Sequence, residues 1–191
     1  VYWSAPGKTA MERAGAVDKA TVVADSLRER GWLEELAARR REPLCVGIRL
    51  NPAFAFEGGA AVPSKFDIDE EQALAFLRRN DCPHLRVTCI HVHLRSQVLS
   101  ADAIGVYYRN MFALADRVEA ALGRTLSYIN LGPGIGVPYA PTDLSSIHIG
   151  RCRRSYASRN EKAWALYQTY KSDYLTHFYF YGLYTNHSNT K

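Results

Sequence analysis

The sequence lacks an apolar run of about 18 residues, and it therefore predicts no transmembrane helix. Its first residues, VYWSAPGK, contain neither a basic segment nor a long apolar segment, which is not the pattern of a signal peptide. The sequence does not begin with methionine, and we expect a processed, excised or incomplete chain.

Cysteine is scarce, with four residues in 191 and no CxxC pair. This spacing argues against a disulfide framework and against a zinc site. Cys45 and Cys89 lie inside apolar runs, where we expect buried thiols. Buried thiols are typical of a reducing compartment, so we expect a cytoplasmic protein with no bound metal.

Excess charge is confined to the end of the chain. Residues 1–150 contain 17 basic and 17 acidic side chains, whereas residues 151–191 contain 7 and 2 and account for the net charge of +5. A basic tail suits nucleic acid or a membrane surface. We favour a solvated tail and expect neither of these partners.

Strand-like and helix-like segments alternate along the chain, which predicts a parallel α/β sheet. The predicted strands are 1–4, 20–24, 44–50, 86–97 and 126–131. One predicted helix begins near residue 10, and three more cover 27–40, 70–79 and 101–122. Thr9 and Glu12 have the spacing of a capping box at the first helix. Five strands do not close an eight-stranded barrel.

The segment RVTCIHVHLRSQ, residues 86–97, is the most unusual of these strands. Strict alternation places Val87, Cys89, His91 and His93 on one face. A metal site would need a third ligand, which the sequence does not suggest. A hydrogen-bonded core residue is the ordinary alternative for either histidine. The polar residues that follow lie where α/β proteins bind ligands, at the carboxyl end of the strand.

Two further features point to an anionic ligand. The turn GPGIG, from Gly132 to Gly136, follows a strand and could bind a phosphate through its backbone N–H groups. Its spacing does not fit a dinucleotide motif, and a purely structural turn is the alternative. Arg49 ends an apolar strand and needs an anionic partner, either an internal carboxylate or a ligand.

Together these segments resemble the barrel domain of the alanine racemase-like pyridoxal phosphate enzymes, with diaminopimelate, ornithine and arginine decarboxylases as the nearest branch. The matching segments appear in the family's order over about residues 1–143 and are YWSAPGKTAMERA, VGIRLNP, SKFDID, IHVHLRSQ and INLGPGIGVPY. The resemblance implies a partial (β/α)8 TIM-type barrel in residues 1–150, followed by a divergent, basic, tyrosine-rich tail in residues 151–191.

The resemblance also implies the cofactor, pyridoxal 5′-phosphate, and the residues that bind it. His93 would stack on the pyridine ring, with Arg49 near that ring. Ser96 and the glycine turn, including Gly132 and Gly134, would bind the phosphate. His91 is expected to be a core or supporting residue.

The sequence departs from the family at several positions. Arg95 replaces a glycine, and Pro133 removes one N–H donor from the phosphate turn. The family's Schiff-base lysine lies in a Tyr-Ala-x-Lys-Ala-Asn strand that has no counterpart here, and Lys8 matches a different family lysine. Phe180 occupies the position of the family's glutamate that pairs with the pyridinium nitrogen.

We therefore expect an amino-acid decarboxylase barrel, a carbon–carbon lyase by family, which is a fragment without its Schiff-base lysine and is inactive alone. The expected partners are an amino-acid substrate and, for the full-length family, a second copy in a homodimer. The alternative is a non-catalytic protein that binds the cofactor or a partner on the same barrel.

Overall fold

The computed structural model describes residues 1–61, 64 and 67–132, and they form parallel strands alternating with helices. The strands are β1 Tyr2–Trp3, β2 Thr21–Ala24, β3 Leu44–Asn51, β4 Ile68–Asp69, β5 Leu85–His91 and β6 Tyr128–Asn130. The helices are α1 Ala10–Ala16, α2 Leu27–Ala37, α3 Glu70–Arg79 and α4 Ala101–Leu122. The predicted alternation is confirmed, with β4 as a short strand that the sequence did not indicate. Within the described ranges, no helix has the length and apolarity needed to cross a membrane.

The sheet runs in the order β1-β2-β3-β5-β6, and β4 pairs with the end of β3. Every pairing between these strands is parallel. The helices cover one face with a large apolar cluster, while a smaller cluster of Val23, Cys89 and Tyr128 occupies the other. The sheet curls about this inner face into half of a barrel, which confirms the predicted partial (β/α)8 TIM-type barrel.

Local sequence signals set the helix ends. Thr9 and Glu12 form the predicted capping box, each side chain bonding the backbone of the other residue. Ser26 caps α2 and Ser100 caps α4 through their hydroxyl groups. Gly123 ends α4 in the left-handed conformation, with φ at 65°.

The prediction for the faces of β5 is wrong at one residue. The pairing with β3 shifts between Val46 and Gly47, whose partners are Val87 and Cys89, so Thr88 is an extra residue in the ladder. This bulge interrupts the alternation of side chains. Val87 consequently packs in the helix-side cluster, while Cys89 remains on the inner face.

The inner face is closely packed in the middle and open at its amino end. A Cβ atom on Gly47 would collide with the Cys89 sulfur atom. Cys45, two positions earlier on β3, is exposed, which corrects its expected burial. The reason is its place at the amino end of the strand, in an open cleft that it lines together with Thr21 and Arg41.

The outermost strands of the sheet meet across the inner face. The rings of Tyr2 on β1 and Tyr128 on β6 stack with their centroids 4.3 Å apart and their planes 13° apart. This contact lies beside the carboxyl ends of β1, β5 and β6, where the polar residues that follow each strand come together.

Candidate functional site

A cavity of about 390 Å³ lies at the carboxyl ends of β1, β5 and β6, and we call it the His93 cavity. Its lining residues are Tyr2, Trp3, Ser4, His91, His93, Ser96, Asn130 and Gly132. Parallel strands place their ligand sites at this end. Three of the predicted site residues, His93, Ser96 and Gly132, therefore share one cavity.

His93 is held between the other two predicted residues. Its Nδ1 atom lies 2.6 Å from the Gly132 carbonyl oxygen, and its Nε2 atom lies 3.1 Å from the Ser96 hydroxyl oxygen. A carbonyl oxygen can only accept, so Nδ1 carries the hydrogen. In the neutral imidazole, Nε2 then accepts the hydrogen of the Ser96 hydroxyl. The chain of bonds fixes both the orientation and the tautomer of the ring.

Gly132 is required by the shape of its turn. Its φ angle is 64°, and a Cβ atom there would overlap the Val92 carbonyl group. The Tyr107 hydroxyl donates to the Leu131 carbonyl oxygen at 2.6 Å, and the Gly132 N–H donates to the Asn130 side-chain oxygen at 3.1 Å. The sequence analysis assigned neither residue to the site: Asn130 lies in the matching segment INLGPGIGVPY without a predicted role, and Tyr107 lies in no motif.

His91 lines the same cavity, although it was expected to be only a core or supporting residue. Its Nδ1 atom lies 2.9 Å from the Ser4 hydroxyl oxygen. Burial lowers the pKa of His91 to about 4, and the positive charge of Arg49, together with that of His93 when it is protonated, acts in the same direction. His91 is therefore a neutral imidazole at pH 7.

Arg49 lies beside the His93 cavity but does not line it. It pairs with His91 in the sheet register, and its Nε atom lies 2.6 Å from Asp67 Oδ1. The side chains of Arg49 and Asp67 are 14% and 5% exposed. Of the two partners that the sequence left open for Arg49, the described residues provide the internal carboxylate.

Lys8 is buried in an ion-pair network. Its amino group donates to Asp25 at 2.6 Å, to Glu29 at 3.0 Å and to the Ala5 carbonyl oxygen at 2.5 Å. An ammonium group has three N–H donors, so all of them are engaged. This geometry makes Lys8 a cross-link between the ends of β1 and β2 and leaves no free amine.

The other departures from the family pattern lie at the edge of the site or beyond the described residues. Arg95 pairs with Glu57 at 2.8 Å, and both side chains are more than half exposed. Pro133, the predicted phosphate-turn residue Gly134 and the predicted tail, residues 151–191, lie outside the described residues. No group of three potential metal ligands is present in the part of the chain that the structure describes.

Comparison with known protein families gives a match to the pyridoxal binding domain of the pyridoxal-dependent decarboxylases over residues 3–162. The chain belongs to this family. Membership confirms the resemblance found in the sequence and implies pyridoxal 5′-phosphate as the cofactor. The match also spans all three predicted residues of the His93 cavity.

Individual relatives support the same assignment. An L-glutamyl-[BtrI acyl-carrier protein] decarboxylase of Niallia circulans is 29% identical over 170 residues, which are 85% of this chain and 40% of that protein. A diaminopimelate decarboxylase of Thermoplasma acidophilum is 30% identical over 107 residues, which are 52% of this chain and 26% of that protein.

Solved structures of decarboxylases share the fold. Diaminopimelate decarboxylase from M. jannaschii superposes with a TM-score of 0.67 at 20% identity, covering 89% of this chain and 39% of that one. Diaminopimelate decarboxylase from Helicobacter pylori, complexed with L-lysine, superposes with a TM-score of 0.58 at 23% identity, covering 81% of this chain and 41% of that one. The chain thus spans less than half the length of each of these decarboxylases.

The residues of the His93 cavity fit the cofactor of the family. A pyridoxal phosphate site requires a flat surface for the ring and hydrogen-bond donors for the phosphate. The fixed imidazole of His93 offers the first and the Ser96 hydroxyl offers the second. The absence of a Cβ atom at Gly132 allows the β6 turn to approach Val92 closely and form this wall of the cavity.

Proposed function

We propose that the His93 cavity is the pyridoxal phosphate site of an amino-acid decarboxylase. The observation that carries the proposal is the chain of hydrogen bonds from the Gly132 carbonyl through His93 to Ser96. When bound, pyridoxal phosphate supplies an electron sink for the carbanion that remains after loss of CO₂.

Each residue has a separate part in this proposal. His93 presents its ring face to the pyridine ring, and the Gly132 carbonyl keeps that face in place. The Ser96 hydroxyl transfers its hydrogen bond from His93 Nε2 to a phosphate oxygen. Arg49 contributes a positive charge beside the ring, and Gly132 and Gly134 belong to the phosphate turn.

Calorimetric titration with pyridoxal phosphate tests the site. Ser96→Ala should weaken binding by about tenfold to 150-fold, because a hydrogen bond to a charged group contributes about 1.5–3 kcal/mol. His93→Leu should also weaken binding, because it removes the imidazole ring that would stack on the cofactor. Ser127→Ala is the matched control, since Ser127 is exposed and lies outside the cavity. Equal affinities for Ser96→Ala and Ser127→Ala would contradict the proposed site.

We propose an amino acid as the substrate, in line with the diaminopimelate decarboxylases among the relatives. For these 191 residues alone we expect little or no decarboxylation, because they contain no counterpart of the family's Tyr-Ala-x-Lys-Ala-Asn segment. Lys8, which matches a different family lysine, does not replace it, since all three of its N–H donors are engaged. Release of CO₂ from diaminopimelate, lysine or ornithine, measured with pyridoxal phosphate present, tests this expectation. Turnover together with a covalent cofactor adduct on one lysine would contradict it.

The departures from the family pattern at Arg95 and Pro133 also favour a second candidate function, namely a non-catalytic protein that binds the cofactor or a partner decarboxylase. Binding of pyridoxal phosphate without turnover is common to both candidates. Co-purification with an intact decarboxylase would distinguish the second, because a barrel that serves only in catalysis has no need of such a partner.

We further propose that a second copy is the partner in solution and that the protein is cytoplasmic. Within the described sheet, β1 and β6 each pair with a single neighbour, and exposed strand edges favour association. Among the described residues, Cys45, Cys82 and Cys89 are free thiols, which suit a reducing compartment. Light scattering on the purified chain tests the dimer, and cell fractionation tests the location.

A further inference from the structure

Asp67 has the most unusual environment of the described residues near the His93 cavity. Its φ angle is 81°, in the left-handed region that few residues other than glycine occupy. Its side chain is 5% exposed, and Oδ1 lies 2.6 Å from Arg49 Nε. A backbone in this region is retained only where the surroundings require it, and such positions concentrate at functional sites.

The ion pair of Asp67 and Arg49 is close but poorly aligned. Although the two atoms are at contact distance, neither makes a well-directed hydrogen bond, and both atoms are buried. Buried charged pairs are stable only with good geometry and additional hydrogen bonds. A better-aligned anion could therefore replace Asp67 as the partner of Arg49.

Three ionisable groups face Asp67 from the surrounding strands. Burial raises the pKa of Asp67 to about 6; Arg49 and His93 oppose this rise and Asp25 adds to it. Arg49 lies on β3, while Asp25 and His93 follow β2 and β5. Asp25 is itself paired with Lys8 at 2.6 Å. The protonation of Asp67 is therefore sensitive to any movement of the Arg49 guanidinium group.

We propose that Asp67 is a positioning residue that holds Arg49 out of the His93 cavity and competes with an anionic ligand for its guanidinium group. Arg49 does not line the cavity, whereas His91, its register partner on β5, does. An anion in the cavity attracts Arg49, and Asp67 then takes up a proton because it has lost its cation. This inference rests on the proposed function only in naming pyridoxal phosphate as the anion.

The first experiment is a titration of the Asp67 carboxyl carbon by NMR in the whole chain. A midpoint near 6 is expected, and saturating inorganic phosphate should move it upward because Arg49 leaves Asp67. A midpoint that does not change with phosphate or with pyridoxal phosphate would overturn the proposal. This measurement needs no variant and no turnover.

The second experiment compares dissociation constants for pyridoxal phosphate between pH 5 and pH 7.5. If ligand binds only when Asp67 is protonated, wild type should bind about tenfold more weakly than Asp67→Asn at pH 7 and equally at pH 5. Asp69→Asn is the matched control, because Asp69 is exposed, contacts Asn51 and does not touch Arg49. A ratio of the wild-type and Asp67→Asn dissociation constants that stays constant with pH would overturn the proposal.

The two experiments separate this inference from the proposed function. If pyridoxal phosphate does not bind but inorganic phosphate still shifts Asp67, the competition stands and the proposed cofactor site fails. If pyridoxal phosphate binds, but the ratio of the two dissociation constants does not change with pH and the titration midpoint of Asp67 does not move, the cofactor site stands and the competition fails. Circular dichroism on each variant verifies its fold, and the wild-type titration decides the case if Asp67→Asn unfolds.

Discussion

Gly132→Ala should disrupt the turn that holds His93. Gly132 has φ at 64°, and a left-handed conformation costs a residue with a Cβ atom about 1–2 kcal/mol. The new methyl group would also overlap the Val92 carbonyl group, and a forced backbone shift of this kind costs about 1–3 kcal/mol. The two contributions together predict a loss of about 3 kcal/mol in the free energy of unfolding.

Gly123→Ala is the matched control for this substitution. Gly123 has nearly the same φ, 65°, but a Cβ atom there would meet nothing within 4 Å. The control should therefore lose only the conformational part, about 1 kcal/mol. Urea unfolding of the two variants measures the difference. Equal losses would show that the close approach to Val92 has no energetic consequence, and the reasoning about Gly132 would be refuted.

The same variant has a local effect that stability alone does not report. A displaced Gly132 carbonyl can no longer accept from His93 Nδ1, so the imidazole should lose its fixed tautomer. Nitrogen NMR of the His93 ring should then show both tautomers in Gly132→Ala and one in Gly123→Ala. A single tautomer in both variants would mean that another group orients the ring.

Two further predictions concern the buried charges. Lys8→Met should lower the free energy of unfolding by about 3–5 kcal/mol, because Asp25 and Glu29 would remain buried without their cation, whereas Lys19→Met at an exposed position should change little in the same urea experiment. The pKa of His91 is lowered to about 4 in the folded chain, so the unfolded chain binds more protons and stability should fall as the pH drops from about 6.5 to 4. His91→Gln should be less sensitive to acid over this range by up to about 3 kcal/mol, and an unchanged slope of stability against pH would contradict the assigned burial.

Short-range features of the fold could be predicted from the sequence. The order of strands and helices follows from alternating apolar patterns, and the capping box of Thr9 and Glu12 follows from a spacing within one turn. The glycine turn after β6 was expected at Gly132 for the same reason, since a turn is specified by neighbouring residues. His93, Ser96 and Gly132 lie together because parallel strands end at the same side of the sheet.

Features that depend on register could not be predicted. The extra residue Thr88 has no signature in the alternation of its strand, so Val87 was assigned to the wrong face. The bond between Ser4 and His91 joins positions far apart in the chain. The pairing of Asp67 with Arg49 depends on how the loop before β4 returns to β3, which the composition of that loop does not reveal.

The stacked rings of Tyr2 and Tyr128 have a consequence for the order of folding. They join the first and last strands of the described sheet, so the contact closes a loop of nearly the whole described chain. Contacts of such high sequence separation pay their loop-closure entropy before they give any stabilisation, and they form slowly. The tyrosine pair should therefore be among the last contacts to form, after β2, β3 and β5 have paired. The His93 cavity lies beside it, so the completed cavity would appear only at the end of folding.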